Sequence, residues 1–300
     1  MTTDHGHDLL FGTFVTPTNH PVHQAVEQAV VADRAGLDLV TFQDHPYLPR
    51  FHDTWTLLGY AAARTERVRL APNVTNLPLR PPAVLARAAA SLDLLSGGRV
   101  ELGLGAGGFW DGIAAMGGPR RSPGESVEAL EEAIAIIRGV WDPQERGGLS
   151  VRGTHYDVHG AKRGPAPAHP IGIWVGAYKP RMLRLVGRLA DGWLPSLQYL
   201  PGGARSLAGM NERIDDAAVA AGREPGEVRR LLNIGGRFAA RGGGFLQGPP
   251  AQWAEELAGV ALAYGTSGFL LASDDTTLTE TFAAEVAPAV RELVAAARAS

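Results

Sequence analysis

The chain has 300 residues, 45% of them apolar and 20% charged, and no cysteine; this excludes a disordered protein, thiol nucleophiles and thiolate metal sites, and leaves any redox chemistry to a bound organic cofactor or a His/carboxylate metal site. Its 28 basic and 31 acidic residues are mixed throughout for a net charge of −3, so there is no basic field to hold a nucleic-acid backbone or an anionic membrane surface. No stretch approaches the roughly 18 uninterrupted apolar residues of a membrane-spanning helix, and the opening MTTDHGHDLL lacks the basic and apolar segments of a signal peptide, so the expected location is cytoplasmic.

Short β-rich apolar runs alternate with amphipathic helical patterns, the signature of βα units around a parallel sheet. The first strand spans 9–15, and Pro21 opens a helix that Gly36 closes, with Val22, Ala25, Val26, Ala29 and Val30 on one face. Strand two spans 37–42, helix two 55–64 and strand three 68–74; Pro81 and Pro82 open helix three, which ends at the Ser96-Gly97-Gly98 turn. Strand four covers 100–104, and Ser122 with Glu125 forms a capping box ahead of a helix over 127–141. Residues 142–170 break the rhythm, and the alternation over 151–158 predicts a hairpin. Strand five follows at 171–175, then a helix opened by Pro180, a short strand at Trp193 and Leu194, a helix over 203–221, strand seven at 231–238 and a helix over 250–264. Strand eight at 268–271 precedes a terminal helical stretch, 277–297, which Pro288 kinks or splits. Eight alternating units predict one α/β domain over 1–300, a (β/α)8 TIM barrel with a hairpin insertion after the fourth βα unit.

In such a barrel the active site lies at the C-terminal ends of the strands. After strand two stand Gln43, Asp44, His45, Pro46 and Tyr47, where an imidazole that titrates near neutrality adjoins an acid that could orient it; a loop Asp capping a nearby amide and a solvated His is the structural alternative. Asn73, Val74, Thr75, Asn76 and Arg80 follow strand three, amides and a hydroxyl suited to the heteroatoms of a ring, or to turns bonded to their own backbone. Gly103-Leu104-Gly105-Ala106-Gly107-Gly108 after strand four fits G-x-G-x-x-G, but the dinucleotide fingerprint belongs to a first βα turn, so the inference is close backbone approach to something flat or anionic. Gly176, Ala177, Tyr178 and Lys179, with Arg181, open a helix; free amides, the positive helix end and two cations suit a phosphate. His5, His7, His20 and His23 have no metal-ligand spacing and are read as solvated.

These residues and their order carry a resemblance. Asp44-His45, the stretch 73–86, Ser91 to Arg99 leading into Gly103–Gly107, and Gly176-Ala177 leading through Pro180-Arg181-Met182-Leu183 to Ala190-Asp191-Gly192-Trp193 resemble the bacterial luciferase-like flavin oxidoreductases, barrels that bind FMN or the deazaflavin coenzyme F-420. The resemblance covers nearly the whole chain. It implies a cofactor ring over the barrel mouth near Asp44, His45 and residues 73–76, and a phosphate on the strand-four loop, Gly105 to Gly108, and the turn Gly176 to Lys179. It also implies a non-proline cis peptide in strand three, most readily between Asn73 and Val74, whose bulge supports the ring from behind. Asp-His after strand two looks more like the deazaflavin-dependent members. Sugar-phosphate dehydrogenases of the group carry Glu after the strand-four glycines, where this chain has Gly108, and Phe109 with Trp110 suggests an apolar wall there.

The expected function is hydride transfer between a deazaflavin and a small organic substrate, with His45 as proton donor or as a residue contacting the ring, Asp44 orienting it, and no metal. The runner-up exchanges the cofactor for reduced FMN and oxygen, with a separate flavin reductase as partner. A barrel isomerase or lyase acting on a phosphorylated substrate is a third possibility, and a non-catalytic flavin carrier a fourth. A homodimer is one assembly compatible with the sequence, which does not fix the oligomeric state; nucleic acid and membrane are not expected partners.

Overall fold

The computed structural model describes residues 4–300. In chain order the elements are β1 Leu10–Val15, α1 Gln24–Arg34, β2 Leu39–Phe42, α2 Thr54–Ala62, β3 Arg69–Pro72, β4 Thr75–Asn76, α3 Pro82–Ser96, β5 Leu102–Gly105, α4 Trp110–Ala115, α5 Pro123–Trp141, β6 Leu149–Arg152, β7 Asp157–Ala161, β8 Ile173–Val175 and α6 Pro180–Leu189. Then come β9 Gly192–Trp193, α7 Ser206–Ala220, β10 Arg229–Ile234, β11 Arg237–Phe238, β12 Gln247–Gly248, α8 Pro250–Tyr264, β13 Thr266–Ala272, α9 Thr276–Thr281 and α10 Ala287–Ala299. Nine strands form one parallel sheet in the order β3-β2-β1-β13-β10-β9-β8-β5-β4. Its two ends, β3 and β4, are halves of one barrel strand interrupted at Asn73 and Val74, and a parallel bridge between Leu70 and Val100 brings β3 against the approach to β5. The sheet is therefore a nearly closed (β/α)8 barrel, as the eight-unit reading expected.

The boundaries follow local chemistry. Pro82 begins α3, and Gly97 ends it in the left-handed conformation at φ 72°. Ser122 accepts from the Glu125 amide while Glu125 accepts from the Ser122 amide, completing the capping box of α5. The antiparallel pair β6 and β7 is the predicted hairpin. Pro288 lies at the start of α10, just after a π-helical segment Phe282–Val286; the backbone stays helical from Thr276 to Ala299, so Pro288 marks a change of helical register and does not split the stretch.

Several boundaries depart from the sequence reading. Pro21 follows a cis peptide and lies in a turn three residues ahead of α1; of the five residues assigned to its buried face, Ala25, Val26 and Ala29 are buried, whereas Val22 is exposed and Val30 only half-buried. Strand seven ends at Ile234, because Arg237 and Phe238 pair with Gln247 and Gly248 in a separate small sheet. The helix α4 was not anticipated. His5 and His7 are half-buried, not fully solvated: Arg298 pairs with Asp4 and donates to the His7 carbonyl, holding this segment down so that the His7 Nε2 is buried.

The lumen is lined by Leu39, Ala71, Trp174, Leu194, Leu231 and Leu270, while a larger apolar layer fills the space between sheet and helices. Asp93 and Arg99, from the stretch Ser91 to Arg99, brace the backbone just ahead of β3, β5 and β8. Asp93, fully buried, accepts from the amides of Val100, Ala168 and His169, and Arg99 donates to the carbonyls of Ala62, Thr65 and Val68. Keeping the backbone satisfied at the starts of these strands is a stability function.

Candidate active site

The predicted site residues fall at the C-terminal ends of four neighbouring barrel strands, β2, β3/β4, β5 and β8. The peptide between Asn73 and Val74 is cis, as the resemblance implied. Both side chains of this pair face the lumen. The Asn73 amide donates to Thr41 Oγ1 at 3.1 Å and to Asn233 Oδ1 at 2.7 Å, and Asn233 donates to Ser196 Oγ at 3.0 Å, so a polar layer crosses the barrel above its apolar filling. Val74 occupies the centre. Its methyls stand where side chains at Gly103 and Gly105 would begin, since a Cβ on Gly105 would lie 2.6 Å from Val74 Cγ2, and one on Gly176 would meet the same methyl at 3.4 Å. Glycine at 103 and 105 is what allows β5 to pass beneath the bulge.

Thr75 and Asn76 are buried, and the Thr75 hydroxyl and Asn76 Oδ1 have no hydrogen-bond partner among the described residues. Such atoms are costly unless a ligand or water satisfies them. Ala106 is buried, Gly107 sits at φ 100° with Pro78 and Trp110 pressed against it, and a Cβ on Gly108 would meet nothing within 4 Å. The floor of glycines and Val74, with unsatisfied polar atoms beside it, fits a flat heteroaromatic ring.

The helix α6 end supplies less than the sequence suggested. The Gly176 amide is spent on the Leu104 carbonyl at 3.1 Å, and Arg181 turns to Glu128 on α5 at 2.8 Å. What remains for an anion are the amides of Ala177, Tyr178 and Lys179, none of which has a backbone or side-chain acceptor among the described residues, and the Lys179 ammonium. Tyr178 is fixed by its hydroxyl, which accepts from the Ser196 amide at 2.8 Å, and its ring meets Tyr199 edge-on.

Asp44 does not orient His45. Its buried carboxylate accepts from the Asn76 amide at 2.9 Å and from Arg80 through Nε at 2.8 Å and Nη2 at 2.7 Å, and Arg80 also reaches Asp53, the N-cap of α2, at 2.6 Å. Burial disfavours the Arg80 charge, but the hydrogen bonds and field of Asp44, then Asp53, more than offset it and raise its pKa. Burial likewise acts to raise Asp53, and Arg80 overrides it and holds that carboxyl below the usual range. The cluster ties the loop carrying Asn76 to the start of α2.

His45 instead bonds through Nδ1 to the Tyr47 hydroxyl at 2.7 Å. Its ring is enclosed by Tyr47, Phe51 and Phe109 at centroid distances of 5.5, 6.3 and 5.4 Å, and Phe109 itself is 65% exposed. The expected apolar wall is thus Phe109 over His45, with Trp110 turned against Gly107; Asp111 is paired with Arg120. Burial pushes the His45 pKa down, and outweighs Asp44, which acts in the other direction. Sequence reasoning missed Asn233 and Ser196; a polar residue at 233 within Leu231, Leu232 and Ile234 is the signal that marks a lumen-facing position near the mouth.

Comparison with known proteins places this geometry in context. The chain is 37% identical over 188 residues, 60% of its length and 46% of the relative's, to a phthiodiolone/phenolphthiodiolone dimycocerosates ketoreductase of Mycobacterium sp. (strain JLS). It is 35% identical over 176 residues, 56% and 52% of the two chains, to an F-420-dependent glucose-6-phosphate dehydrogenase of Amycolatopsis mediterranei (strain U-32). The chain spans about half the length of the curated relatives it matches. Among solved structures, an F-420-dependent secondary alcohol dehydrogenase bound to an F-420-acetone adduct has a TM-score of 0.83 at 18% identity, covering 95% of this chain and 99% of that one. The FMN complex of the oxygenating constituent of a Pseudomonas putida 3,6-diketocamphane monooxygenase has a TM-score of 0.75 at 17% identity, covering 94% and 99%; both likenesses are of fold. The family profile described as luciferase-like monooxygenase matches residues 9–236, and on that match the chain belongs to the luciferase-like monooxygenase family.

Proposed function

We propose that the protein is an oxidoreductase that uses a flavin-type cofactor, the deazaflavin coenzyme F-420 in preference to FMN, for hydride transfer to or from a small organic substrate. The observation that carries this reading is the floor of the mouth, where Val74 lies against Gly105 and Gly176 beside the unpartnered Thr75 hydroxyl and Asn76 carbonyl. Residues Asn73 to Asn76 and Gly105 to Gly108 hold the ring, and Ala177 to Lys179 hold a phosphate through backbone amides and one ammonium. When bound, such a cofactor supplies a hydride donor or acceptor. The chain's own part is to keep the ring flat on the bulge, to exclude water with Phe51 and Phe109, and to move a proton through His45. The charged group that reaches His45, Asp44, is already paired with Arg80, which favours an uncharged substrate against the apolar wall.

The Asp44-His45 sequence and the 35% identical F-420-dependent relative support the deazaflavin. The family's monooxygenase members keep FMN as the second reading, with oxygen as co-substrate and a separate reductase as partner. Titration of the purified protein with each cofactor, followed by visible absorbance, tests the proposal: F-420 is expected to bind more tightly than FMN. Tighter FMN binding selects the second reading, and no affinity for either overturns both in favour of a barrel isomerase or lyase.

A further inference from the structure

We propose that Tyr47 is a positioning residue for His45: its phenol donates to Nδ1, holds the imidazole in the Nε2–H tautomer, and lets the neutral ring give up a proton by replacing it from the other side. The inference rests on the hydride-transfer reading above. Nδ1 and the Tyr47 oxygen are 2.7 Å apart, and among the described residues none hydrogen-bonds to His45 Nε2. A phenol is a better donor than an imidazole N–H, and a bare imidazole nitrogen is a better acceptor than a phenol oxygen, so the shared proton belongs to Tyr47 and the ring's own proton to Nε2. The Tyr47 ring is seated against Gly112 of α4, where a Cβ would come within 2.7 Å of it.

The electrostatics of the pair point the same way. Burial, with Asp44 adding to it, pushes the Tyr47 phenol up to about 12, so it keeps its proton across the neutral range. Burial lowers the His45 pKa and so favours the neutral imidazole. The groups packed on the imidazole are Tyr47, Phe51 and Phe109, of which only Tyr47 titrates, and the charged neighbour that reaches it is Asp44, itself held by Arg80.

A neutral imidazole acting alone is a poor acid, because loss of its only N–H proton leaves an imidazolate. Tyr47 removes that obstacle. In the reducing direction a bound reduced cofactor would supply a hydride, with its electron pair, to a carbonyl carbon of the substrate, and the chain's own part is that the His45 Nε2–H bond breaks and its proton goes to the carbonyl oxygen. Nδ1 takes the Tyr47 hydroxyl proton, and the phenol oxygen takes one from solvent. One proton enters, one leaves, and the imidazole is neutral at both ends of the step. Tyr47 is half-buried and the next three residues are exposed, which gives the solvent proton a short route.

Nitrogen-15 NMR of the imidazoles in cofactor-free protein reads the tautomer directly, independently of any cofactor. Above its pKa, His45 is expected to carry its proton on Nε2 with Nδ1 bare; a proton on Nδ1 overturns the proposal even if the hydride-transfer reading stands. Tyr47→Phe keeps the ring on Gly112 and removes the hydroxyl. With a substrate in hand, kcat for reduction by this variant is expected to fall about tenfold per pH unit above the His45 pKa, where the unsubstituted protein holds a plateau, with KM little changed. The proton inventory in mixed light and heavy water is expected to be curved for the unsubstituted protein and linear for Tyr47→Phe. Matching pH profiles and inventories overturn the relay. Failure of both cofactors to bind overturns the hydride-transfer reading and the relay together, while the tautomer is still decided by NMR.

Discussion

Arg80→Met is the sharpest perturbation of the site's scaffold. In the native protein the Asp44 side chain is fully buried and is held by two Arg80 hydrogen bonds of 2.8 and 2.7 Å and one from the Asn76 amide. Met keeps the length and apolar stem of Arg80 but strands the Asp44 charge on one amide. Removing one partner of a buried ion pair costs about 3–5 kcal/mol, whereas the second pair, to the 44%-exposed Asp53, adds at most about 1 kcal/mol. The loss is a large share of the roughly 5–15 kcal/mol that holds a typical domain folded. Urea unfolding at pH 7 is expected to show a lower midpoint with an unchanged m value. Asp44→Asn added to Arg80→Met removes the stranded charge and is expected to recover most of the loss, a coupling of at least about 1 kcal/mol. A single-variant cost below roughly 1 kcal/mol, or a second substitution that only adds its own loss, refutes the assignment of this cluster as the device that fixes the Asn76 loop.

His45→Ala is expected to lower turnover by roughly 10²- to 10⁴-fold while moving the unfolding midpoint little, since a residue at the C-terminal end of a barrel strand contributes little to packing; steady-state kinetics beside urea unfolding check both halves. Gly176→Leu places a branched side chain where even a Cβ already touches Val74 at 3.4 Å, and is expected to weaken cofactor binding at least about tenfold with an unchanged circular dichroism spectrum. Because burial lowers the His45 pKa below its unfolded value of 6.5, the unfolded chain binds the extra proton first, so His45 favours the folded state fully above pH 6.5 and that contribution is lost as pH falls through 6.5 toward the folded value. His45→Gln is expected to flatten this part of the stability curve between pH 7 and 5; an unchanged slope counts against a buried neutral imidazole.

The alternation of βα units, the caps at Pro82, Ser122 and Gly97, and the hairpin after α5 are local signals, carried by residues within a few positions of one another, and they were legible in the sequence for that reason. The strands' ends could be located the same way, and with them the residues that ring the mouth. Pairing could not. Asp44 next to His45 in sequence reads as a dyad, yet adjacent residues at a strand end point in different directions, and Asp44 turned to an arginine 36 positions away, leaving His45 to Tyr47. The anion turn was thinned in the same manner, because whether a helix-end amide or cation is free depends on what the neighbouring strand and helix bring to it: Leu104 took the Gly176 amide and Glu128 took Arg181. Sequence alone determined the order of elements and the chemistry available at the barrel mouth, since both follow from hydrophobic period and residue type. Only the tertiary structure decided which charges are spent on one another and which polar atoms, Thr75 Oγ1 and Asn76 Oδ1 among them, are left without a partner, because hydrogen bonds and ion pairs form between groups that the closing of the barrel brings within about 3 Å, however far apart they lie in the chain.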